Sequence, residues 1–489
     1  MSAPLSFARH QVLASIVQQM TQRVNEFFAV ADAQPTAPLA TLEAVAARLT
    51  QDCLLPAVVL AVEELRQQVE IDPASATCGC GQPAHYKGAA ARTLVTQAGL
   101  LTFRRAYYYC SACQVGFYPL DAALGLGPGQ FSEGVQAGVA RLGAELPFER
   151  AATTYTALTG VPISPRAVAR VTEARGAAWE EELADERTAL LAGTAPPPAL
   201  APRPADGGRW AVALDAAKAC FRDGWHEIKV GVVGRAQPVL RPGREPGSWR
   251  PGAQVAQQSY LAHVGSMSGT AERLYAEVVR RGCDPAEEEV LCLGDGAPSI
   301  WNEYATHFPR RVEILDWYHA VEHLWAAGKG LYGEGTAAAH AWVAARQEEL
   351  WAGDVAAVVT ALQVAAAQES RGQAAQEEIH YFTANAGRMA YAAYRAAGYP
   401  LGSGVVESGC KQVVGQRAKG AGMRWSAAGV QGVLTLRATL LSGEWEATWA
   451  ARRSRQREVA RAPEEEDARR AVPGRAAPGG RAPARAQAA

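Results

Sequence analysis

Apolar residues recur at three- and four-residue intervals from Leu39 to Val69, with only Pro56 to interrupt them. This predicts amphipathic helix in an N-terminal helical region over 1–75, suited to packing or self-association. Over 76–125 the pattern shifts to short β-like pieces rich in Tyr and Thr, Leu94–Val95 and Leu101–Phe103 on to Tyr109, bounded by close cysteine pairs. Helical spacing returns over 126–194, from Phe131 to about Leu191, and 195–208 form a stiff Pro-rich linker that predicts a domain boundary.

Beyond the linker, apolar runs of strand length alternate with helical stretches. Strands are predicted over Arg209–Ala216, His226–Val233, Ser259–Val264, Val290–Gly294 and Val312–Leu315, with helices over Thr270–Arg281 and from Pro298 to about His307. The order β-β-β-α-β-α-β points to an α/β sheet with helices packed on it. From His319 to about Ala397 the chain is Ala-rich and helix-forming, which predicts a helical insertion over 319–400. The tail over 451–489 is rich in Ala, Pro, Gly and Arg and is expected to be disordered.

A chain of 489 residues, 48% apolar and 20% charged, has the size and composition for two or three cored domains. No apolar run reaches the ~18 residues that a membrane-spanning helix needs, and Met1 to His10 lacks the signature of a secretory leader, so a cytoplasmic protein is expected. Nine cysteines spread over the chain favour reduced thiols or metal ligands over a disulfide framework. The net charge of −1 does not itself suggest a nucleic-acid partner, but the bases are clustered. Lys411, Arg417, Lys419 and Arg424 occur with no acid among them, and the tail from Ala450 carries ten Arg against five acids.

Cys78-Gly79-Cys80 and Cys110-Ser111-Ala112-Cys113 are two pairs divided by a β-rich spacer, the arrangement that delivers four thiolates to one structural zinc ion. Because Cys-x-Cys is a tight spacing, His85 is an alternative ligand. Pro147 to Arg170 reads as helix, a turn at Gly160, an N-cap at Ser164 with Pro165 at the first helical position, and a second helix. This matches a helix-turn-helix, with Arg166 and Arg170 one turn apart and available to DNA.

Three carboxylates stand where two divalent ions could be held: Asp215 and Asp295, each closing an apolar strand, and Glu407, opening a helix after a glycine turn. Two-metal phosphodiester chemistry needs carboxylates converging on ions ~4 Å apart, and strand ends supply rigid positions for them. Asp316, read as the cap of the helix that follows it, rivals Asp295 as a ligand. His319 to His323 fits the H-x-x-E-H pattern of inverted zinc peptidases, a short motif with no convincing third ligand downstream.

Together these segments resemble the DDE transposases of bacterial insertion sequences, most closely the ISKra group. The resemblance covers about Cys78 to Trp449. It is carried by Arg222 to Val233, Gly294 to Asn302 with His307 to Pro309, Ile314 to Leu324, and Gly402 to Ser408 continuing to Gly422 to Trp425. It implies a multidomain α+β protein whose RNase H-like α/β catalytic domain is split by the helical insertion into 209–318 and 401–450. An α-helical N-terminus, a zinc-ribbon-like module and a helix-turn-helix would precede that domain. It also implies Asp215, Asp295 and Glu407 as catalytic acids holding two Mg or Mn ions, one structural Zn on the four cysteines, and double-stranded DNA as partner, both element ends and target. Relatives commonly have a glycine after the first acid where this chain has Ala216-Ala217; Asp223 is a weaker substitute. Lys411, Arg417, Lys419 and Arg424 would hold a DNA backbone and Trp425 would stack on an exposed base. Handling two ends together implies a homo-oligomer, nucleoid-associated in a bacterial cytoplasm. The alternative is a catalytically inactive, transposase-derived DNA-binding protein.

Overall fold

The structure is a computed structural model that describes residues 55–70, 76–127, 129–194, 208–242, 249–367 and 372–451, with a short helical stretch within 14–29. The Arg-rich tail and nearly all of the Pro-rich linker lie outside the described residues, as does the 39–54 part of the expected N-terminal helix. The chain divides into two compact units, Met1–Ala137 with Glu446–Ala489, and Gly138–Trp445. It is a mixed α+β protein with a three-stranded and a five-stranded sheet. Among the described residues no helix is long and apolar enough to cross a membrane.

In the first unit, strands β1 (His85–Thr96), β2 (Gly99–Cys110) and β3 (Val115–Phe117) form an antiparallel sheet in chain order. The short β pieces expected from sequence are in fact two arms of twelve residues, because pairing runs without a break from Gly88–Tyr107 to the turn at Thr96–Gly99. A helix over 55–69 (α1) contributes Val62 to a small core with Leu94, Leu101, Phe103 and Leu120. Leu120 lies on α2 (Pro119–Ala123), whose Asp121 pairs with Arg92 and Arg105. Among the described residues of this unit, that cluster and a second one of Cys78, Ala84, Ala106, Tyr108 and Cys110 each hold only a handful of buried apolar residues. A core that small needs a further tie.

In the second unit, β4 (Arg209–Phe221), β5 (Gly224–Pro242) and β6 (Trp249–His263) form an antiparallel meander, and β7 (Val290–Gly294) and β8 (Arg311–Leu315) continue it in parallel from β4. The spatial order is β6-β5-β4-β7-β8. Every residue of β7 is buried, as expected of a parallel strand covered on both faces. The expected strand and helix order holds, but the meander strands are much longer than their apolar runs. Backbone pairing carries β4 and β5 on to Phe221–Gly224, where exposed Lys218 alternates with buried Ala217 and Ala219.

Helix α3 (Glu133–Glu145) crosses the division between the units, and α4 (Phe148–Thr159) and α5 (Pro165–Leu191) follow it. The turn is as read from sequence: Gly160 is left-handed at the end of α4, and Ser164 accepts from the Ala167 N–H as N-cap of α5 with Pro165 first. The expected 126–194 helical region is divided at Gly138 between the two units. From Gly138 onward these helices belong to the same unit as the sheet, because α5 runs for 27 residues and packs on the sheet's cover. Trp179 donates to Thr439 at 2.9 Å, and Glu180 pairs with Arg273 of α6 (Met267–Arg280).

After α7 (Pro298–His307) and β8 come five helices with no strand among the described residues: α8 (Trp317–Tyr332), α9 (Ala337–Ala352), α10 (Val355–Ala366), α11 (Gln373–Ala384) and α12 (Tyr391–Ala396). The chain returns to the sheet through α13 (Gly404–Gly409), which widens into π turns over Cys410–Gly415, and continues into α14 (Ala427–Leu441) and a short helical stretch over 445–451. Where α5 crosses α14, Gly176 meets Gly432 so closely that a Cβ on Gly176 would land on the Gly432 carbonyl. Gly176→Ala is therefore expected to lower stability by about 1–3 kcal/mol, the usual range for overpacking, read as a fall in the urea midpoint at unchanged m-value.

Candidate metal centres

The Sγ atoms of Cys78, Cys80, Cys110 and Cys113 all lie within 4.8 Å of one another. Cys78 and Cys113 are 3.4 Å apart, and Cys80 and Cys110 3.7 Å. A tetrahedron of thiolates at about 2.3 Å from a zinc ion has edges near these lengths. Two knuckles build the cluster. In the first, the Gly81 N–H donates to the Cys78 carbonyl at 2.8 Å with Gly81 at φ 79°. The second is the tight β2–β3 turn, where Gln114 takes φ 58° so that Cys110 and Cys113 face the first pair. A backbone hydrogen bond from Cys113 pulls the Cys110 thiol down to about 7, so a thiolate forms near neutrality, whereas hydrogen bonds with Cys78 and Cys110 push Cys113 up to about 12. His85 is exposed at the start of β1 and outside the cluster. The four-cysteine set can hold a zinc ion.

The second centre follows from strand register. β4 and β7 pair in parallel up to Ala213–Leu293, and continuing that register by two positions sets Asp215 opposite Asp295. β7 and β8 pair up to Gly294–Leu315, and one further position sets Asp295 opposite Asp316. The Asp316 N–H donates to the Gly294 carbonyl at 2.8 Å. By that extension the three acids occupy neighbouring backbone positions, on β4 and just past the C-terminal ends of β7 and β8. Asp215 and Asp295 are half-buried and Asp316 fully buried.

Glu407 reaches this end of the sheet from α13. Cys410, one turn further on, donates its thiol to Asp215 Oδ2 at 3.4 Å, and burial with the Asp215 charge pushes that thiol far up. Glu407, Asp316 and His319 have ligand atoms all within 4.8 Å of one another, and this group can hold a metal ion. Among the described residues, Asp215, Asp295 and Glu407 do not form such a mutual set. Asp316 caps α8 as expected, accepting from the His319 N–H at 2.8 Å, and lies 3.2 Å from His319 Nδ1. Its other oxygen accepts from the Ser403 N–H, just before α13. Burial raises the Asp316 pKa, but the hydrogen bonds from His319 and Ser403 outweigh it and leave the carboxyl below its usual value. The hydrogen bond with Asp316 lifts His319 to about 9.

The peptidase pattern is not assembled: His319 serves Asp316, while His323 Nδ1 meets Glu378 Oε2 at 2.6 Å. Asp223 sits exposed at the tip of the β4–β5 hairpin, 3.1 Å from His226 and away from the carboxylate row. Of the basic residues, Arg166, Arg170, Lys411, Lys419 and Arg424 are exposed. Two expected DNA contacts are corrected. Arg417 is 1% exposed; its Nε donates to the Gly143 carbonyl at 2.9 Å and its guanidinium lies 4.7 and 4.9 Å from the Phe148 and Trp425 rings. Burial and neighbouring Arg437 bring it down to about 10. Trp425 is 6% exposed, with Nε1 donating to the Ala418 carbonyl and its backbone bridged to Phe221. Both are core groups with no face for a phosphate or a base.

Compared with known protein families and curated proteins, the chain matches no family model and no curated protein.

Proposed function

We propose that this chain is a DDE-type DNA transposase that binds the terminal repeats of its own element, cuts there and transfers the freed strands to target DNA. Unit Gly138–Trp445 is then an RNase H-like catalytic domain interrupted by the helical insertion. One observation carries the reading. Acids far apart in sequence lie on β4 and just past the ends of neighbouring β7 and β8 in a β6-β5-β4-β7-β8 sheet, and the helix bearing Glu407 lies against the first of them, Asp215, through Cys410. The donors suit divalent cations: carboxylate oxygens for Mg or Mn, with the His319 imidazole favouring Mn over Mg. Bound there, such ions would supply an activated water and charge stabilisation at phosphorus.

The protein's own residues then position. Asp215, Asp295 and Glu407 hold the cations, and Asp316 ties the 403 turn to β8 so that Glu407 is presented to the row. Exposed Lys411, Lys419 and Arg424 follow Glu407 and bind the DNA backbone, while exposed Arg166 and Arg170 at the start of α5 contact the element ends. The cysteine module holds a structural zinc, and pairing of two ends calls for a homo-oligomer. The test is incubation with a duplex carrying the inverted repeats that flank the reading frame, with Mg or Mn, against an unrelated duplex. Metal-dependent nicking at the repeats and strand-joined products are expected. End-specific binding without cleavage at any metal concentration would instead mark an inactive descendant that only binds DNA, and neither binding nor cleavage would remove the transposase reading.

A further inference from the structure

The turn that carries Asp295 is held from outside the sheet. Tyr381, on α11 of the helical insertion, donates its hydroxyl to the Asp295 carbonyl at 2.9 Å. Its ring closes over Gly296, which takes φ 105°, and a Cβ there would come within 2.7 Å of the ring. Asp295 Oδ1 accepts from the Ala297 N–H at 2.9 Å, so backbone and side chain of this turn are both fixed. Tyr381 is seated in turn. The His323 ring stacks on it at 3.5 Å and 20°, and His323 is tied to Glu378, one turn before Tyr381 on the same helix. Burial, with the charges of Asp295 and Asp316, pushes the Tyr381 hydroxyl up, so it stays a donor through the neutral range. An Asp-Gly turn forms readily without help. Here it is pinned by a helix 86 residues further along the chain.

We infer that Tyr381 is a positioning residue for the second acid: seated by His323 and Glu378, it fixes the Asp295 carboxylate where a divalent cation is held. The inference rests on the transposase reading and gives the insertion a task at the catalytic end of the sheet. Groups that orient a metal ligand typically change metal affinity about tenfold to a hundredfold when removed.

Calorimetric titration of the full chain with Mn2+, comparing parent, Asp295→Asn and Tyr381→Phe, reads this directly. Tyr381→Phe keeps the ring and loses only the hydroxyl, and its affinity is expected to fall about tenfold or more; Asp295→Asn should lose binding at the same site. Hydrogen exchange on the unmodified protein is a second measurement that needs no variant. Mn2+ should raise protection of the Gly296 and Ala297 amides and of the α11 amides together. If Tyr381→Phe binds Mn2+ as the parent does, or α11 exchange ignores Mn2+, the inference is overturned and the transposase reading stands. If Asp295→Asn also binds as the parent does, Asp295 is no ligand and both fall.

Discussion

Cys110→Ser is expected to abolish zinc binding and unfold the β1–β2–β3 module. Among the described residues of the first unit, the two clusters of buried apolar residues are small, and one of them is built on Cys78 and Cys110 themselves. Burial of so few side chains does not offset the chain entropy of two twelve-residue arms and two knuckles. Structural zinc contributes on the order of 10–16 kcal/mol in small modules, comparable to the whole ~5–15 kcal/mol by which domains are stable. Losing one thiolate of four should therefore leave the arms without an ordered pairing. Elemental analysis of the full chain should fall from about one zinc per chain to near none, and amide exchange across the two arms should become fast. Slow exchange in β7 should persist, because its strand is buried in the other unit. A Cys110→Ser protein that keeps its zinc would show that the four cysteines are not the ligand set.

What the sequence made legible follows from where the information is local. The run Val290 to Gly294 is apolar and of strand length, and it is a fully buried strand; the Ser164–Pro165 cap and the paired cysteines are signals within a few residues of each other. Register is not local. That Asp316 falls beside Asp295 depends on the parallel pairing of β7 with β8, so Asp316 read only as a cap and a rival, and His319 only as half of a peptidase motif. Arg417 was misread although its surroundings were informative. Val413 and Val414, four and three residues before it on the same face, are both buried, so a basic run free of acids concealed one residue pointing inward. Tyr381 carried no signal in the sequence, since a tyrosine in an Ala-rich helical stretch is ordinary core material. Its role depends on the insertion folding back to within hydrogen-bond reach of Asp295.

The other large effect is expected for Glu407→Gln. The amide keeps the size of the side chain but turns one acceptor oxygen into a donor and removes the charge that a cation requires, and a lost metal carboxylate in phosphoryl transfer removes several kcal/mol of transition-state stabilisation. About 4 kcal/mol corresponds to roughly a thousandfold fall in the rate of strand cleavage at the element ends. Binding of the ends should be retained, since exposed Lys411, Lys419 and Arg424 are untouched. The cluster of Glu407 with Asp316 and His319 makes the comparison with Asp316→Asn decisive. Asp316 accepts N–H groups from both α8 and the 403 turn, so its replacement should lower the melting temperature as well as the rate. Glu407→Gln should lower the rate alone, because Glu407 is half-buried and the hydrogen bonds that seat the turn run through Asp316. If Glu407→Gln cleaves at the parent rate while Asp316→Asn is inert at a temperature where it is folded, the third acid is Asp316, and the centre is a set of three aspartates on β4, β7 and β8 that needs no residue from α13.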